Sequence, residues 1–137
     1  MKLFFQEYAR VYRQIINDVN RILKPYGLTS VLWSMILYLS KHETAKANQI
    51  YGYYNMDKGM TSRYIARLIS KGYVEYVFIN GKVKKTLKLS KEGKKMFYEI
   101  NDTIRKHEAE VMSIFNENEQ NQLMDMLEKL RVKTANY

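Results

Sequence analysis

Two arginines, Arg63 and Arg67, are the side chains whose type and spacing best suit a binding chemistry. In an α-helix a spacing of four places them on one face, which they share with the small residues Gly59 and Ser70. A guanidinium donates paired hydrogen bonds to a guanine edge or a phosphate, and small neighbours let a polyanion approach closely. The pattern suits a helix that lies in the major groove of DNA. The alternative is an ordinary surface helix, because arginines are common on exposed faces.

Local signals predict one short helix that would carry both arginines. Asp57 is a favourable N-cap residue, and Gly72 suits the left-handed conformation that often ends a helix. Thr61, Ile65 and Leu68 recur at helical spacing on the opposite face. We therefore expect that face to pack on a core while the arginines stay exposed.

A β-hairpin is predicted directly after this helix. Residues 73–79 are rich in β-branched and aromatic side chains, and Asn80-Gly81 is a strong turn signal. Residues 82–89 alternate between polar and apolar side chains, except at Lys85. Three lysines lie near the tip: Lys82, Lys84 and Lys85. A helix followed by a basic hairpin is the layout of a winged helix. The alternative role of these lysines is to protect the edge of the hairpin from aggregation.

Five further helices are predicted from apolar periodicity and capping residues. They cover residues 2–24, 30–40, 45–54, 91–115 and 119–132. Three of them begin after a capping residue, namely Thr29, Thr44 and Ser90, and Asn116-Glu117-Asn118 separates the last two. The third helix and the arginine-bearing helix together predict a helix-turn-helix.

The terminal helices carry apolar stripes that the compact middle of the chain is too small to cover. The seam of the long helix comprises Phe97, Ile100, Ile104, His107, Val111 and Ile114. We therefore predict a homodimer through the N- and C-terminal helices. For the first helix, packing within its own domain is the alternative. His107 is interpreted as an interface histidine, and Trp33 as a residue of the core or of an interface.

Composition narrows the classes of function. The 137 residues carry a net charge of +9, which favours an anionic partner such as nucleic acid. Cysteine is absent, so thiol chemistry and disulfides are excluded. Because the N-terminus lacks a signal-peptide core and no apolar run is long enough to span a membrane, we expect a cytoplasmic protein without a membrane partner.

No catalytic or cofactor-binding motif is recognisable. The sequence contains no set of nucleophile, base and acid, no phosphate-binding loop and no Cys or His pattern with metal-ligand spacing. We therefore expect neither an enzyme nor a bound metal or cofactor.

Three segments together resemble the MarR-type (multiple antibiotic resistance regulator) bacterial transcription factors. They are Tyr26-Gly27-Leu28-Thr29 with residues 32–39, the stretch from Asp57 to Glu75, and Leu89-Ser90-Lys91-Glu92-Gly93-Lys94. They resemble the second helix, the recognition helix with the first wing strand, and the step into the long helix of that family. The resemblance extends over nearly the whole chain.

The resemblance implies a mostly α-helical, winged helix-turn-helix homodimer with a small β-hairpin wing. The chain 1–137 would form a single domain, with residues 2–24 and 91–137 as dimerisation helices and residues 29–89 as the DNA-binding region. The expected DNA contacts are Lys58, Gly59, Met60, Ser62, Arg63 and Arg67 on the recognition helix, Lys46 and Asn48 in the third helix, and Lys82, Lys84 and Lys85 on the wing.

The resemblance also implies a function. Such proteins bind near-palindromic operators, usually as repressors, and many release DNA when a small aromatic or phenolic ligand enters a cleft. The residues expected at that effector pocket are Tyr12, Tyr26, Trp33 and His107. The alternative is an architectural or adaptor protein that uses the same dimer for non-specific DNA binding or protein contacts. Competition between operator and random DNA separates the two.

The wing departs from the family in one respect. The usual Asp-x-Arg pattern would fall on Gly81 and Val83, so the arginine that enters the minor groove is missing. Lysine is a point charge rather than a planar fork, so we expect this wing to bind phosphates more than it reads groove width.

Overall fold

Six α-helices and one β-hairpin form the part of the chain that the structure describes. The structure is a computed structural model that covers residues 2–136, apart from the side chains of residues 83 and 84. In chain order the elements are α1 (Phe4–Leu23), a 3-10 turn (Lys24–Tyr26), α2 (Ser30–Lys41), α3 (Ala47–Tyr54), α4 (Lys58–Ser70), β1 (Val74–Ile79), β2 (Lys82–Leu89), α5 (Lys91–Met112) and α6 (Glu117–Ala135). The predicted fold class, mostly helical with a β-hairpin wing, is confirmed.

The central core helix is α2. The Thr29 side chain accepts a hydrogen bond from the backbone N–H of Leu32 at 3.4 Å, as the predicted cap requires. Leu32, Met35 and Ile36 are fully buried. Trp33 is only 7% exposed, and its ring stacks on Phe97 of α5 with a centroid separation of 5.5 Å. The predicted core role of this tryptophan is therefore confirmed.

The predicted start of α3 is wrong. Thr44 does not cap the helix, because Ala45 forms an isolated antiparallel bridge with Leu87 of β2, with N···O distances of 2.9 and 2.8 Å. This pairing delays the helix to Ala47, and Lys46, whose backbone is extended, takes the N-cap position. The backbone N–H of Lys46 donates to the side chain of Gln49 at 2.8 Å. A contact distant in sequence thus overrides the local preference of threonine.

The hairpin has the predicted tight turn. β1 and β2 pair antiparallel, and the last pair, Ile79 with Lys82, encloses only Asn80 and Gly81. Both turn residues have positive φ, 53° and 76°, as a type I′ turn requires. The register shifts between Tyr76 and Phe78. Tyr76 pairs with Leu87 and Phe78 pairs with Val83, so a step of two residues on β1 corresponds to a step of four residues on β2. This bulge lies between the buried base of the hairpin and its tip.

A close backbone junction joins the end of α4 to the start of α5. Gly72 has a φ of 82°, which ends α4 as predicted. The backbone N–H of Ser90 donates to the Tyr73 carbonyl at 3.0 Å, and the Ser90 hydroxyl donates to the Gly72 carbonyl at 2.5 Å. The same hydroxyl accepts from the Gly93 N–H at 3.0 Å, which confirms Ser90 as the cap of α5. Gly93 is buried against Tyr73.

The last two helices differ from their predicted bounds. α5 ends at Met112 instead of residue 115, so Ile114 lies beyond the helix and is exposed. α6 begins at Glu117 and ends at Ala135. Asn116 accepts from the Glu119 N–H at 2.8 Å, and Glu119 accepts from the Asn116 N–H at 3.0 Å. This reciprocal capping box starts α6 two residues earlier than predicted, so only Asn116 of the predicted break lies outside the helix.

Contacts divide the chain into two compact units, of which one ends at Asp102 and the other begins at Thr103. In the second unit the Gln120 side chain donates to the carbonyls of Met112 and Phe115, at 3.0 and 3.1 Å.

No single helix within residues 2–136 is long and apolar enough to cross a membrane. One pair of segments reaches that length and composition together, namely α1 with the 3-10 turn, and α2, but the pair is bent by 79°.

Candidate nucleic-acid interface

The caps and the buried side of α4 determine which of its faces is exposed. The Asp57 carboxylate accepts a hydrogen bond from the backbone N–H of Met60 at 2.9 Å. The Thr61 hydroxyl donates to the Asp57 carbonyl at 2.7 Å. Thr61, Ile65 and Leu68 are buried, as predicted. The helix cannot rotate without exposing these residues, so its outer face is held in place.

That outer face carries the predicted recognition residues. All six are exposed: Lys58, Gly59, Met60, Ser62, Arg63 and Arg67. Neither guanidinium is engaged in an ion pair within the described part of the chain. Both guanidinium groups are therefore available to donate hydrogen bonds to an external anion.

The structure brings the start of α4 close to the wing. Ser62 of α4 and Lys85 of β2 line one cavity of about 380 Å³. Its other lining residues are Ala47, Ile65, Tyr76 and Leu87. Tyr76 is exposed and was not among the predicted site residues. Tyr76 is two residues from the buried Val74, so the two side chains lie on the same face of the strand. That spacing was the signal that could have placed Tyr76 beside α4.

A second cationic surface lies at the other end of α4. Arg67, Ser70 and Lys71 line an open depression of about 500 Å³ together with Gly27 and Ala66. Lys71 was interpreted from the sequence only as a charge at the helix C-terminus. The structure adds it to the cationic surface, because its ammonium group lies over the turn at Gly27.

The remaining predicted contacts lie on α3 and the wing. Lys46 and Asn48 are exposed at the start of α3. Lys82 and Lys85 are exposed on β2, whereas the side chain of Lys84 lies outside the described residues. Lower on the hairpin, Lys88 forms a cross-strand ion pair with Glu75 at 3.7 Å.

Charge across this surface is strongly unbalanced. The stretch 57–71 contains one carboxylate, Asp57, which caps the helix. It contains four cations, namely Lys58, Arg63, Arg67 and Lys71. Residues 76–87, which form the distal hairpin, contain no acidic residue. Such a surface attracts a polyanion and repels a cation.

The four predicted effector-pocket residues occupy different surroundings. Tyr12 is exposed on α1 and stacks on Tyr8 at 5.9 Å. Tyr26 is half-buried in the 3-10 turn, and Trp33 is buried against Phe97. His107 is half-buried in the second unit.

A cavity of about 300 Å³ lies beneath the start of α4. Its lining residues are Val31, Ser34, Tyr54, Met56, Asp57, Met60 and Tyr64. The Tyr54 hydroxyl donates a hydrogen bond to the Ser34 carbonyl at 2.8 Å. Burial raises the pKa of Tyr54 to about 12, and the neighbouring Tyr53 and Tyr38 add to the shift. Tyr54 is therefore a neutral donor that joins α3 to α2.

No group of three potential metal ligands clusters anywhere in residues 2–136. The site consists of cations, small residues and aromatic rings. Its chemistry is that of binding an anion through charge, hydrogen bonds and apolar contact.

Comparison with known proteins identifies the family. No protein-family model matches the sequence. The chain is 32% identical over 103 residues to the uncharacterized HTH-type transcriptional regulator YwoH of Bacillus subtilis. The matched region covers 75% of each chain. A solved MarR transcriptional regulator from Methanosarcina mazei superposes with a TM-score of 0.84, over 97% of this chain and 90% of that one, at 20% identity. The chain belongs to the MarR family of HTH-type transcriptional regulators.

Further relatives agree with this assignment. The HTH-type transcriptional regulator BilQ of Clostridioides difficile is 27% identical over 117 residues, covering 84% of this chain and 79% of its own. A MarR family regulator from Silicibacter pomeroyi has the same fold, with a TM-score of 0.81 over 95% of this chain and 88% of that one, at 20% identity. This MarR-family protein is therefore a DNA-binding transcriptional regulator, and the resemblance inferred from the sequence is confirmed.

Proposed function

We propose that this MarR-family protein is a sequence-specific repressor that binds near-palindromic double-stranded DNA as a homodimer. The observation that carries the proposal is the exposed cationic face of α4, held by Asp57 and by the buried Thr61, Ile65 and Leu68. A helix whose rotation is fixed can present the same side chains to the same base pairs in every complex. That is the requirement for sequence recognition in the major groove.

The proposed contacts divide by role. Arg63 and Ser62, in the first half of α4, reach base edges, and Arg67 follows one turn later. Lys58 lies at the helix N-terminus, where phosphates bind favourably. The residues proposed to bind phosphates are Lys46 and Asn48 on α3 and Lys82, Lys84 and Lys85 on the wing. Phosphate contacts position the protein, whereas the base contacts specify the sequence.

The proposed homodimer uses the terminal helices. On α1 the rings of Phe4, Tyr8 and Tyr12 stack in succession at 6.2 and 5.9 Å, and all three are exposed. α6 likewise exposes a set of apolar side chains: Met124, Met126, Leu127, Leu130 and Val132. A second copy of the chain would cover both surfaces. Two-fold symmetry then presents two copies of α4 to half-sites about 34 Å apart, which accounts for a near-palindromic operator.

We further propose that a small aromatic or phenolic ligand that binds next to Trp33 relieves operator binding. Trp33 is the only tryptophan, so its fluorescence reports a ligand that binds next to it. Titration with a phenolic acid such as 4-hydroxybenzoate should change that fluorescence and release operator DNA over the same concentration range. Fluorescence that changes without DNA release would contradict the regulatory role.

Selection of DNA from a random pool tests the main proposal. Wild-type protein should enrich a near-palindrome whose half-sites repeat at about one duplex turn. Arg63→Ala should lose about 1–3 kcal/mol at defined base pairs and relax the selected motif there. Lys82→Ala should weaken all sequences alike and reduce the salt slope by about one. An unchanged motif with Arg63→Ala would refute the assigned role of α4.

An exposed lysine on α5, Lys95, offers a matched control. Lys95→Ala removes the same charge as Lys82→Ala but at a position with no proposed DNA contact. Its affinity and salt slope should remain those of the wild type. If both substitutions have equal effects, the wing contributes only to net charge. If wild-type protein prefers no sequence over random DNA, the result would instead support an architectural role.

A further inference from the structure

The tip of the wing carries apolar side chains on both of its faces. Phe78 is 67% exposed and Ile79 is 49% exposed. Successive residues of a strand point to opposite faces, so these two side chains lie on opposite sides of the hairpin. Both lie beyond the buried Val74, outside the part of the hairpin that packs on the core.

Among the described side chains, none covers this apolar tip. At the base of the hairpin Val74, Leu87 and Leu89 are buried and anchor it to the body of the protein. The bulge between Tyr76 and Phe78 separates this base from the tip, and bulges bend and twist the strands they interrupt. The turn Asn80-Gly81 adds no bulky side chain at the apex. The tip is therefore a narrow apolar projection.

The surroundings of the tip indicate its partner. Ile79 pairs across the strands with the exposed Lys82, and Lys85 is exposed on the same return strand. Residues 76–87 contain no carboxylate that could neutralise these lysines. Apolar side chains flanked by unneutralised lysines match a surface in which phosphates border an apolar interior of sugars and bases. The minor groove of duplex DNA is such a surface.

The resemblance to the MarR family places the wing at the minor groove beside α4. We propose that its tip acts there as an apolar wedge, with Phe78 and Ile79 against sugars and base edges. The inference rests on the proposed function and deepens it. β1 has six residues, which span about 20 Å. The adjacent minor groove lies half a duplex turn away, about 17 Å. The wing is therefore long enough to reach that groove while α4 occupies the major groove.

The width of the tip predicts what it does to the DNA. A two-stranded ribbon with side chains on both faces is about 10 Å thick, whereas the minor groove of B-DNA is about 6 Å wide. Entry therefore requires the groove to open. Apolar wedges open it by partly unstacking a base step, and pyrimidine–purine steps unstack most readily. The wedge would thus select flexible steps between the half-site and its flank without hydrogen bonds to those bases.

The test uses a duplex selected by the wild-type protein, with 2-aminopurine placed at the flanking steps and a fluorophore pair at the ends. Wild-type protein should raise the 2-aminopurine fluorescence and shorten the end-to-end distance. Phe78→Ala should abolish both signals and lose about tenfold in affinity, equally at low and high salt, because no phosphate contact is removed. Tyr98→Ala, which removes a similarly exposed ring (71%) from α5, should change nothing.

A second variant separates apolar contact from charge. Phe78→Lys should increase the salt slope by about one phosphate while leaving the DNA unbent and the base step stacked. If Phe78→Ala binds and bends the selected duplex like the wild type, the wedge is refuted while the proposed function stands. If the wild-type protein selects no duplex at all, the proposed function fails, and the wedge fails with it. Self-association that Phe78→Ala abolishes, with DNA bending unchanged, would assign the tip to contact between copies.

Discussion

Among the glycines of this chain, Gly93 is the one where an added methyl group would make the closest contact. A Cβ added there would overlap the carbonyl oxygen of Tyr73 and lie 2.9 Å from its carbonyl carbon, where ordinary contact begins at 3.4 Å. The clash is with backbone, so no side-chain rotation relieves it. The same carbonyl accepts the hydrogen bond from the Ser90 N–H. Gly93→Ala must therefore displace α5 from the junction that positions α4 and the wing.

The expected magnitude follows from three contributions. Overpacking of a tight site costs about 1–3 kcal/mol, and weakening the Ser90–Tyr73 hydrogen bond costs about 1 kcal/mol more. Alanine regains up to about 1 kcal/mol in helix propensity. We therefore expect Gly93→Ala to lower the free energy of unfolding by about 2 kcal/mol.

The chain offers a matched control in Gly52, which lies in α3 with open space around its Cβ position and no positive φ. Gly52→Ala should stabilise the protein by about 0.5–1 kcal/mol, opposite in sign. Urea denaturation followed by circular dichroism, at one protein concentration because a dimer gains stability with concentration, measures both. If the Gly93→Ala variant is as stable as the wild type, the close packing of Gly93 against Tyr73 is refuted.

Three further substitutions test the supports of the candidate site. Asp57→Ala should cost about 1 kcal/mol in unfolding free energy through loss of the α4 cap, and it should weaken operator binding in gel-shift titration. Ile36→Ala, at a fully buried position, should cost about 2–5 kcal/mol in urea denaturation. Tyr54→Phe should cost about 1 kcal/mol near neutral pH. Because burial raises the pKa of Tyr54 from 10.0 to about 12, its stabilising contribution is complete below about pH 10 and is lost as pH rises through 12; the Phe variant should lack that loss.

Elements with strong local signals could be predicted from the sequence. Asp57 and Gly72 bound α4 as expected, and Asn80-Gly81 forms the expected two-residue turn. These features depend on backbone conformations that few residue types favour. The buried and exposed faces of α4 also follow from apolar spacing alone, which is why the exposure of Arg63 and Arg67 was predictable.

Features that depend on distant contacts could not be predicted in this way. Thr44 has the chemistry of a helix cap, but the bridge between Ala45 and Leu87 joins residues far apart in sequence. The cavity that brings Ser62 to Lys85 depends on how the hairpin packs against α4. The start of α6 is different, because the Asn116 and Glu119 capping box is a local signal that was missed.

The most direct measurement of the central claim is the ratio of affinities for a selected near-palindromic duplex and a scrambled duplex of equal length, near physiological salt. If two fixed copies of α4 read base pairs, the wild-type protein should prefer the selected duplex by about a thousandfold or more. Arg63→Ala should reduce that preference sharply while retaining most of its affinity for scrambled DNA. A wild-type ratio near one would contradict the account.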